Sequence, residues 1–226
     1  MKMETEAGRY CTMTDDHLAI RREIAGFMRR LYRQRLTTAS GGNISVRCGD
    51  MVLITPSGTD KGRLRADQVG MINLDGTPVA DSSDRLSMET GLHLAVYRCR
   101  PDIAAIVHAH PPLTCAFAAA AIKLETAFLS EPYALLGDVA TAEYALMGSP
   151  ELAAHTAAAA VRANAVLMRN HGALTVGGTL LEAFDRMEVL ENAAMVNWQL
   201  RQLPPEQHHR LTADELREID RLMQRR

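Results

Sequence analysis

Seven residues near the middle of the chain, Ile106-Val107-His108-Ala109-His110-Pro111-Pro112, restrict its folding more than any other stretch. A short apolar run stopped by two prolines suits a strand. In a strand, residues i and i+2 point to the same face, so His108 and His110 converge on one point and make a two-toothed clamp for a metal ion. His-x-His alone is equally compatible with a solvated, polar strand end. Two further features of the sequence shift that balance. Asn170-His171-Gly172 follows the apolar run Ala165–Met168, and a lone acid, Glu89, opens an amphipathic segment. Three neutral imidazoles with one open position is the usual layout of a catalytic zinc site, whereas a structural site is closed and rich in cysteine.

The remaining pattern supplies a frame for that clamp. Thr14 is placed to cap a first helix running to about Arg35, with Asp15 and Asp16 at its positive end and Ile20, Ile24, Phe27, Met28 and Leu31 at helical spacing. Ser40-Gly41-Gly42-Asn43-Ile44-Ser45-Val46-Arg47 opens a strand, and a Gly49-Asp50 turn returns it as Met51–Thr55, a hairpin. The loop Pro56–Gly62 is rich in turn residues that present backbone donors. A third strand spans Val69–Leu74. Helical spacing over Glu89–Arg100 stops before Pro101, and the central strand Ile103–His110 follows. Pro112–Ile122 reads as helix, Glu131–Tyr144 as extended pieces about a Gly137-Asp138 turn, and Glu151–Val161 as a helix behind Pro150. Strands Ala165–Met168 and Ala173–Val176 precede a long helix from about Leu180 to Leu203, whose Leu181, Phe184, Met187, Val189 (or Glu188) and Met195 mark its buried face only in part. Thr212-Ala213-Asp214-Glu215 is a capping box for a last helix to Met223. These elements predict an α/β fold, a central antiparallel sheet flanked by helices on both faces, in a single domain over residues 1–226 with its core at about 14–203.

Charge and composition exclude some functions. With 25 basic against 27 acidic residues and no basic block, the chain lacks the electrostatic footprint of a nucleic-acid binder, so a small molecule is the expected partner. The Met1–Glu6 stretch has no apolar signal core and no run is long enough to span a membrane, so a cytoplasmic location is expected. Cys11, Cys48, Cys99 and Cys115 show no C-x-x-C spacing and are expected as free, mostly buried thiols.

Five motifs in fixed order then acquire a joint meaning. Ser40-Gly41-Gly42-Asn43-Ile44-Ser45, Ile54-Thr55-Pro56-Ser57-Gly58, Ser87-Met88-Glu89, Val107-His108-Ala109-His110 and Asn170-His171-Gly172 resemble those of the class II aldolase/adducin family, over roughly residues 14–200. The family includes L-fuculose-phosphate aldolase, L-ribulose-5-phosphate 4-epimerase and methylthioribulose-phosphate dehydratase. The resemblance implies a three-layer sandwich assembled as a homotetramer with active sites at subunit interfaces. It implies that His108, His110 and His171 hold a divalent metal, zinc first, with manganese, cobalt or iron as alternatives. Glu89 becomes the acid/base that also reaches the metal when substrate is absent. Asn43, Ser57, Gly58 and Ser87 fall on the positions of the family's phosphate pocket, where backbone N–H groups and small hydroxyls suit a dianion. Lys61 and Arg63 on the same loop are read as mainly solvated, with added phosphate charge as the alternative. His93, one turn after Glu89, is read as a packed histidine, and His17, His155, His208 and His209 as surface residues.

The activity this resemblance implies is a metal-dependent lyase that cleaves a small ketose phosphate by retro-aldol chemistry through a metal-stabilised enediolate, giving dihydroxyacetone phosphate and an aldehyde. Dehydratase, decarboxylase and 4-epimerase chemistry on a related sugar phosphate or on a hydroxy or aromatic acid are alternatives, as is a non-catalytic, adducin-like binding module. The pattern departs from that of fuculose-phosphate aldolase where aldehyde-side tyrosines are expected: nineteen residues after the second histidine stands Leu129, and no tyrosine follows Tyr144. Met88 replaces the second serine of the phosphate motif. Tyr133 is the nearby candidate to replace the missing hydroxyl.

Overall fold

A computed structural model describes residues 15–79, 85–120 and 122–224; Cys11 and Thr14 lie outside the described residues. Seven strands, β1 (Asn43–Cys48), β2 (Met51–Ile54), β3 (Gly70–Asn73), β4 (Ala105–Ala109), β5 (Val139–Ala142), β6 (Ala165–Met168) and β7 (Gly172–Gly177), form one sheet in the order β3-β2-β1-β4-β7-β6-β5. The histidine-bearing strand β4 is therefore the middle one. Its antiparallel neighbours put Asn43 of β1 and Leu174 of β7 opposite His108. The sheet is antiparallel apart from β5, which runs parallel to β6 at the edge. The chain between those two strands is a helical crossover, as parallel pairing requires.

The helices are α1 (Asp15–Arg33), α2 (Thr90–Cys99), α3 (Pro112–Ala119), α4 (Ser130–Leu136), α5 (Pro150–Ala160), α6 (Leu180–Leu200) and α7 (Ala213–Leu222). Strand alternation sorts β4 between two cores. Val107 and Ala109 join the apolar faces of α1, α3 and α6, including Ile24, Met28, Leu31 and Phe184. Ile106 faces the other way, into Leu92, Val96 and Tyr97 of α2 and Leu152 of α5. His108, two residues on, ends that second face at the sheet's rim.

Several expectations need correction. Ser130–Leu136 is helical, because Pro132 falls in the first turn, where its missing N–H has no helical partner to lose, and Gly137 ends the helix in the left-handed region at φ 62°. On α6 Phe184, Met187 and Val189 are buried as expected, together with Leu180, Ala183, Leu190, Ala194 and Asn197, but Leu181, Met195 and Trp198 are exposed. Lys61 is buried and not solvated, at 1% exposure, and His208 is half-buried with Nε2 on the Leu200 carbonyl. Cys48 is buried as expected, whereas Cys99 and Cys115 are only half-buried. No helix among the described residues is long and apolar enough to cross a membrane.

Candidate metal centre

The end of β4 and the β6–β7 turn bring three imidazoles together. His108, His110 and His171 each offer one nitrogen, and these lie within 4.8 Å of one another. His108 and His171 approach edge to face at 5.0 Å between centroids, and His110 stacks on His171 at 5.5 Å. Asn170 takes φ 54°, a left-handed conformation that asparagine tolerates better than most residues, and so turns His171 back toward β4. Gly172 follows because nothing larger fits: a Cβ there would lie 2.5 Å from His110 Cδ2 and 2.7 Å from the Ala109 carbonyl oxygen. A Cβ at Gly41 would likewise reach 2.8 Å from His110 Nδ1. The histidine cluster thus depends on two backbone positions without side chains.

Glu89 occupies the N-cap position of α2 but does not cap it with its side chain. Its carboxylate turns to the rings instead, with Oε2 3.2 Å from His108 Nε2 and Oε1 3.2 Å from His171 Nε2. Asn43 Nδ2 donates to Oε2 at 2.7 Å. His108 Nδ1–H donates to the Ala173 carbonyl at 2.8 Å, which leaves the lone pair on Nε2. That Nε2 and Glu89 Oε1 are both buried without a hydrogen-bond partner. Buried polar atoms are rarely orphaned, and a cation among them would satisfy both. The donor set, three imidazoles and one carboxylate, suits zinc and related divalent ions.

The electrostatics favour the same use. Burial pushes the His108 pKa down, and burial followed by the neighbouring His108 and His171 charges lowers that of His110 to about 3. Burial thus favours the neutral form of both rings, the form that coordinates a metal. Burial alone would raise the Glu89 carboxyl, but the His108 and His171 rings and the Asn43 amide outweigh it and hold the group well below the usual carboxylate range.

A cavity of about 130 Å³ opens onto the cluster, lined among others by Ser40, Asn43, Ser57, Lys61, Ser87 and Glu89. A larger hollow of about 330 Å³ lies beside Leu36 and α6. Volume does not identify the site, since convergent ligand atoms are found only at the smaller one. Of the residues expected at a phosphate pocket, Ser57 and Ser87 line this cavity; Gly58 sits beside Ser57 at φ 64°. The Ser57 N–H is taken by the Arg85 carbonyl, so its hydroxyl is the free donor. Ser87 Oγ accepts the Glu89 N–H at 3.2 Å and retains its own hydrogen. Asn43 also lines the cavity, but its amide is occupied at both ends, by Glu89 and by His93.

Lys61 is the residue sequence reasoning underrated. Its Nζ donates to the Pro56 carbonyl, and burial lowers its pKa to about 8. No carboxylate among the described residues is paired with it, whereas Arg63 is exposed and approaches Asp60 at 3.9 Å. The Lys61 backbone N–H bonds the Ala39 carbonyl, so the loop folds inward rather than into solvent. No periodicity marks such a lysine, because the burial comes from long-range packing. Tyr133 donates to Asp220 of α7 at 3.0 Å, and Leu129 is exposed.

A family model described as the class II aldolase and adducin N-terminal domain matches residues 22–198. An L-fuculose phosphate aldolase of Methanococcus maripaludis is 33% identical over 168 residues, 74% of this chain and 90% of the relative. A 3-oxo-tetronate 4-phosphate decarboxylase of Haemophilus influenzae is 32% identical over 188 residues, 80% of this chain and 87% of the relative. Among solved structures, one of an L-fuculose 1-phosphate aldolase superposes with a TM-score of 0.83 at 31% identity, covering 96% of this chain and all of that one.

Proposed function

The chain belongs to the class II aldolase and adducin family, and from that premise we propose that it is a metal-dependent carbon–carbon lyase that cleaves a small ketose phosphate to dihydroxyacetone phosphate and an aldehyde. One observation carries this reading: an orphaned carboxylate oxygen, Glu89 Oε1, lies among three convergent imidazoles at a cavity lined by hydroxyl and ammonium donors. His108, His110 and His171 would hold the metal, zinc by preference, with Glu89 as a fourth ligand until substrate arrives. The cation supplies Lewis-acid stabilisation of the negative charge that builds on substrate oxygens as the bond breaks.

The protein's own groups supply the remaining steps. Glu89 moves a proton to or from the substrate carbon through Oε1. Asn43 holds its other oxygen. The Ser57 and Ser87 hydroxyls and the loop at Gly58 receive the phosphate, and the Lys61 ammonium balances its charge. Active sites would form in a homotetramer, where a neighbouring subunit can complete the aldehyde side that Leu129 leaves without a hydroxyl. A binding module has no use for an open set of ligands, which argues against the non-catalytic alternative.

A second reading has one observation in its favour. The absence of a tyrosine at position 129, together with the Haemophilus relative's name, suits decarboxylation of a 3-oxo acid phosphate, which needs no aldehyde-side acid. Metal analysis of the purified protein, run beside proton NMR of dihydroxyacetone phosphate in deuterated buffer, separates the two. Metal near one per chain with stereospecific exchange at C3 is expected. Stoichiometric metal without exchange would overturn the retro-aldol reading in favour of decarboxylation or dehydration.

A further inference from the structure

Glu89 is the outer end of a line of buried polar groups that runs inward between α2 and the sheet. Glu89, His93 and Tyr97 recur every four residues and share one stripe of α2. Asn43 and Ser45 are two apart on β1 and share the face that meets it. His93 Nε2 lies 2.5 Å from Asn43 Oδ1, His93 Nδ1 2.6 Å from Ser45 Oγ, and Ser45 Oγ 2.9 Å from the Tyr97 hydroxyl. His93, Ser45 and Tyr97 are completely buried.

The direction of every bond in this line is fixed by what each atom can do. An amide oxygen only accepts, so His93 Nε2 carries the hydrogen. A buried, neutral ring then has its lone pair on Nδ1, which takes the Ser45 hydroxyl hydrogen. The Tyr97 hydroxyl donates in turn to Ser45, to Oγ or to the backbone oxygen at 3.0 Å. At the outer end the same logic leaves only Asn43 Nδ2 to face the carboxylate. Turning the amide over would oppose N–H to N–H at His93 and oxygen to oxygen at Glu89.

We propose that His93 is a positioning residue: it locks the Asn43 amide in one orientation, so that Glu89 Oε2 is permanently held and Oε1 alone exchanges the proton. The line is a brace and not a proton wire, since no group in it has to change its protonation. This inference rests on the reading of Glu89 as the proton carrier.

The test uses two variants of the metal-loaded enzyme. In His93→Gln the side-chain amide reaches the former place of Nε2 and can still donate to Asn43. In His93→Asn the amide reaches only the place of Nδ1, so Ser45 keeps its partner and Asn43 loses its donor. The expected result is deuterium exchange into dihydroxyacetone phosphate close to wild type for His93→Gln. For His93→Asn a fall of ~10–100-fold is expected, in kcat with KM little changed, together with a similarly weakened zinc affinity in a chelator competition. Equal losses in both variants, tracking a lowered Tm, would reduce His93 to a packing residue and overturn the proposal. Nitrogen-15 NMR of histidine-labelled wild type gives a readout independent of turnover. The Nε2–H tautomer is required for His93, and the Nδ1–H tautomer would overturn the proposal. If wild type itself gives no exchange, the lyase reading fails, while zinc affinity and tautomer still decide whether the brace exists.

Discussion

Glu89 and Glu191 are both buried carboxylates, 7% and 9% exposed, within the same fold. Glu191 projects from α6 onto the start of α3, where Oε1 accepts the Leu113 N–H at 3.0 Å and Oε2 accepts the Thr114 N–H and hydroxyl at 2.8 and 2.7 Å. Both oxygens have partners, at the positive end of a helix whose first residue is a proline. Glu89 also stands at a helix start, yet one of its oxygens has no partner and the other is shared between Asn43 and the edge of His108. Burial of an acid is therefore no mark of chemistry. Unused accepting capacity beside nitrogens that could hold a metal is.

The most severe test of that contrast removes its metal side. His110→Ala is expected to lose stoichiometric metal and all activity together, and full metal content in the folded variant would overturn the ligand assignment. Next comes Glu89→Gln, which should keep the fold and the metal while lowering proton exchange by ~10²–10⁴-fold. Unchanged deuterium exchange would remove Glu89 from the chemistry and leave the two acids alike.

Acid probes the polar side of the sheet more gently. Burial lowers the pKa of His93 from 6.5 to about 3, so the unfolded chain takes up that proton at a higher pH than the folded one. Stability is therefore complete above pH 6.5 and is lost progressively as pH falls toward 3. Urea midpoints of metal-free protein should follow that course; a flat profile would show that the ring is not held neutral. The smallest effect is expected from Glu191→Gln, which leaves a donor where an acceptor is needed. A cost of ~1–3 kcal/mol, a fall in Tm of a few degrees, is expected with metal per chain unaltered. Loss of metal at an intact Tm would erase the distinction between the two glutamates.

What the sequence disclosed of this arrangement follows the range of the forces involved. The histidine pair at the end of β4, the hairpin of β1 and β2, the helix start at Pro150 and the capping box at Thr212 are local and were legible as spacing. The inward turn of Lys61 and the exposure of Leu181 and Met195 on α6 depend on packing against distant segments, whereas the helix at Ser130 carries local signals, Pro132 and Gly137, that were read as extended chain about a turn. The brace behind Glu89 was half visible. Glu89 and His93 are one turn apart, but the partnership of Tyr97 with Ser45, and of His93 with Asn43, needed the register of β1 against α2.

That the middle of the sheet joins β4 to β7 has a consequence for the order of assembly. His108 and its acceptor Ala173 are 65 positions apart, and Asn43 and Glu89 are 46 apart. Until the last strand docks, the chain holds only the His108 and His110 pair, with neither the third imidazole nor the carbonyl that selects the tautomer of His108. Contacts so distant along the chain form slowly. Tight metal capture should thus coincide with the closing of the sheet, and the ion would count finished molecules while passing over partly folded ones.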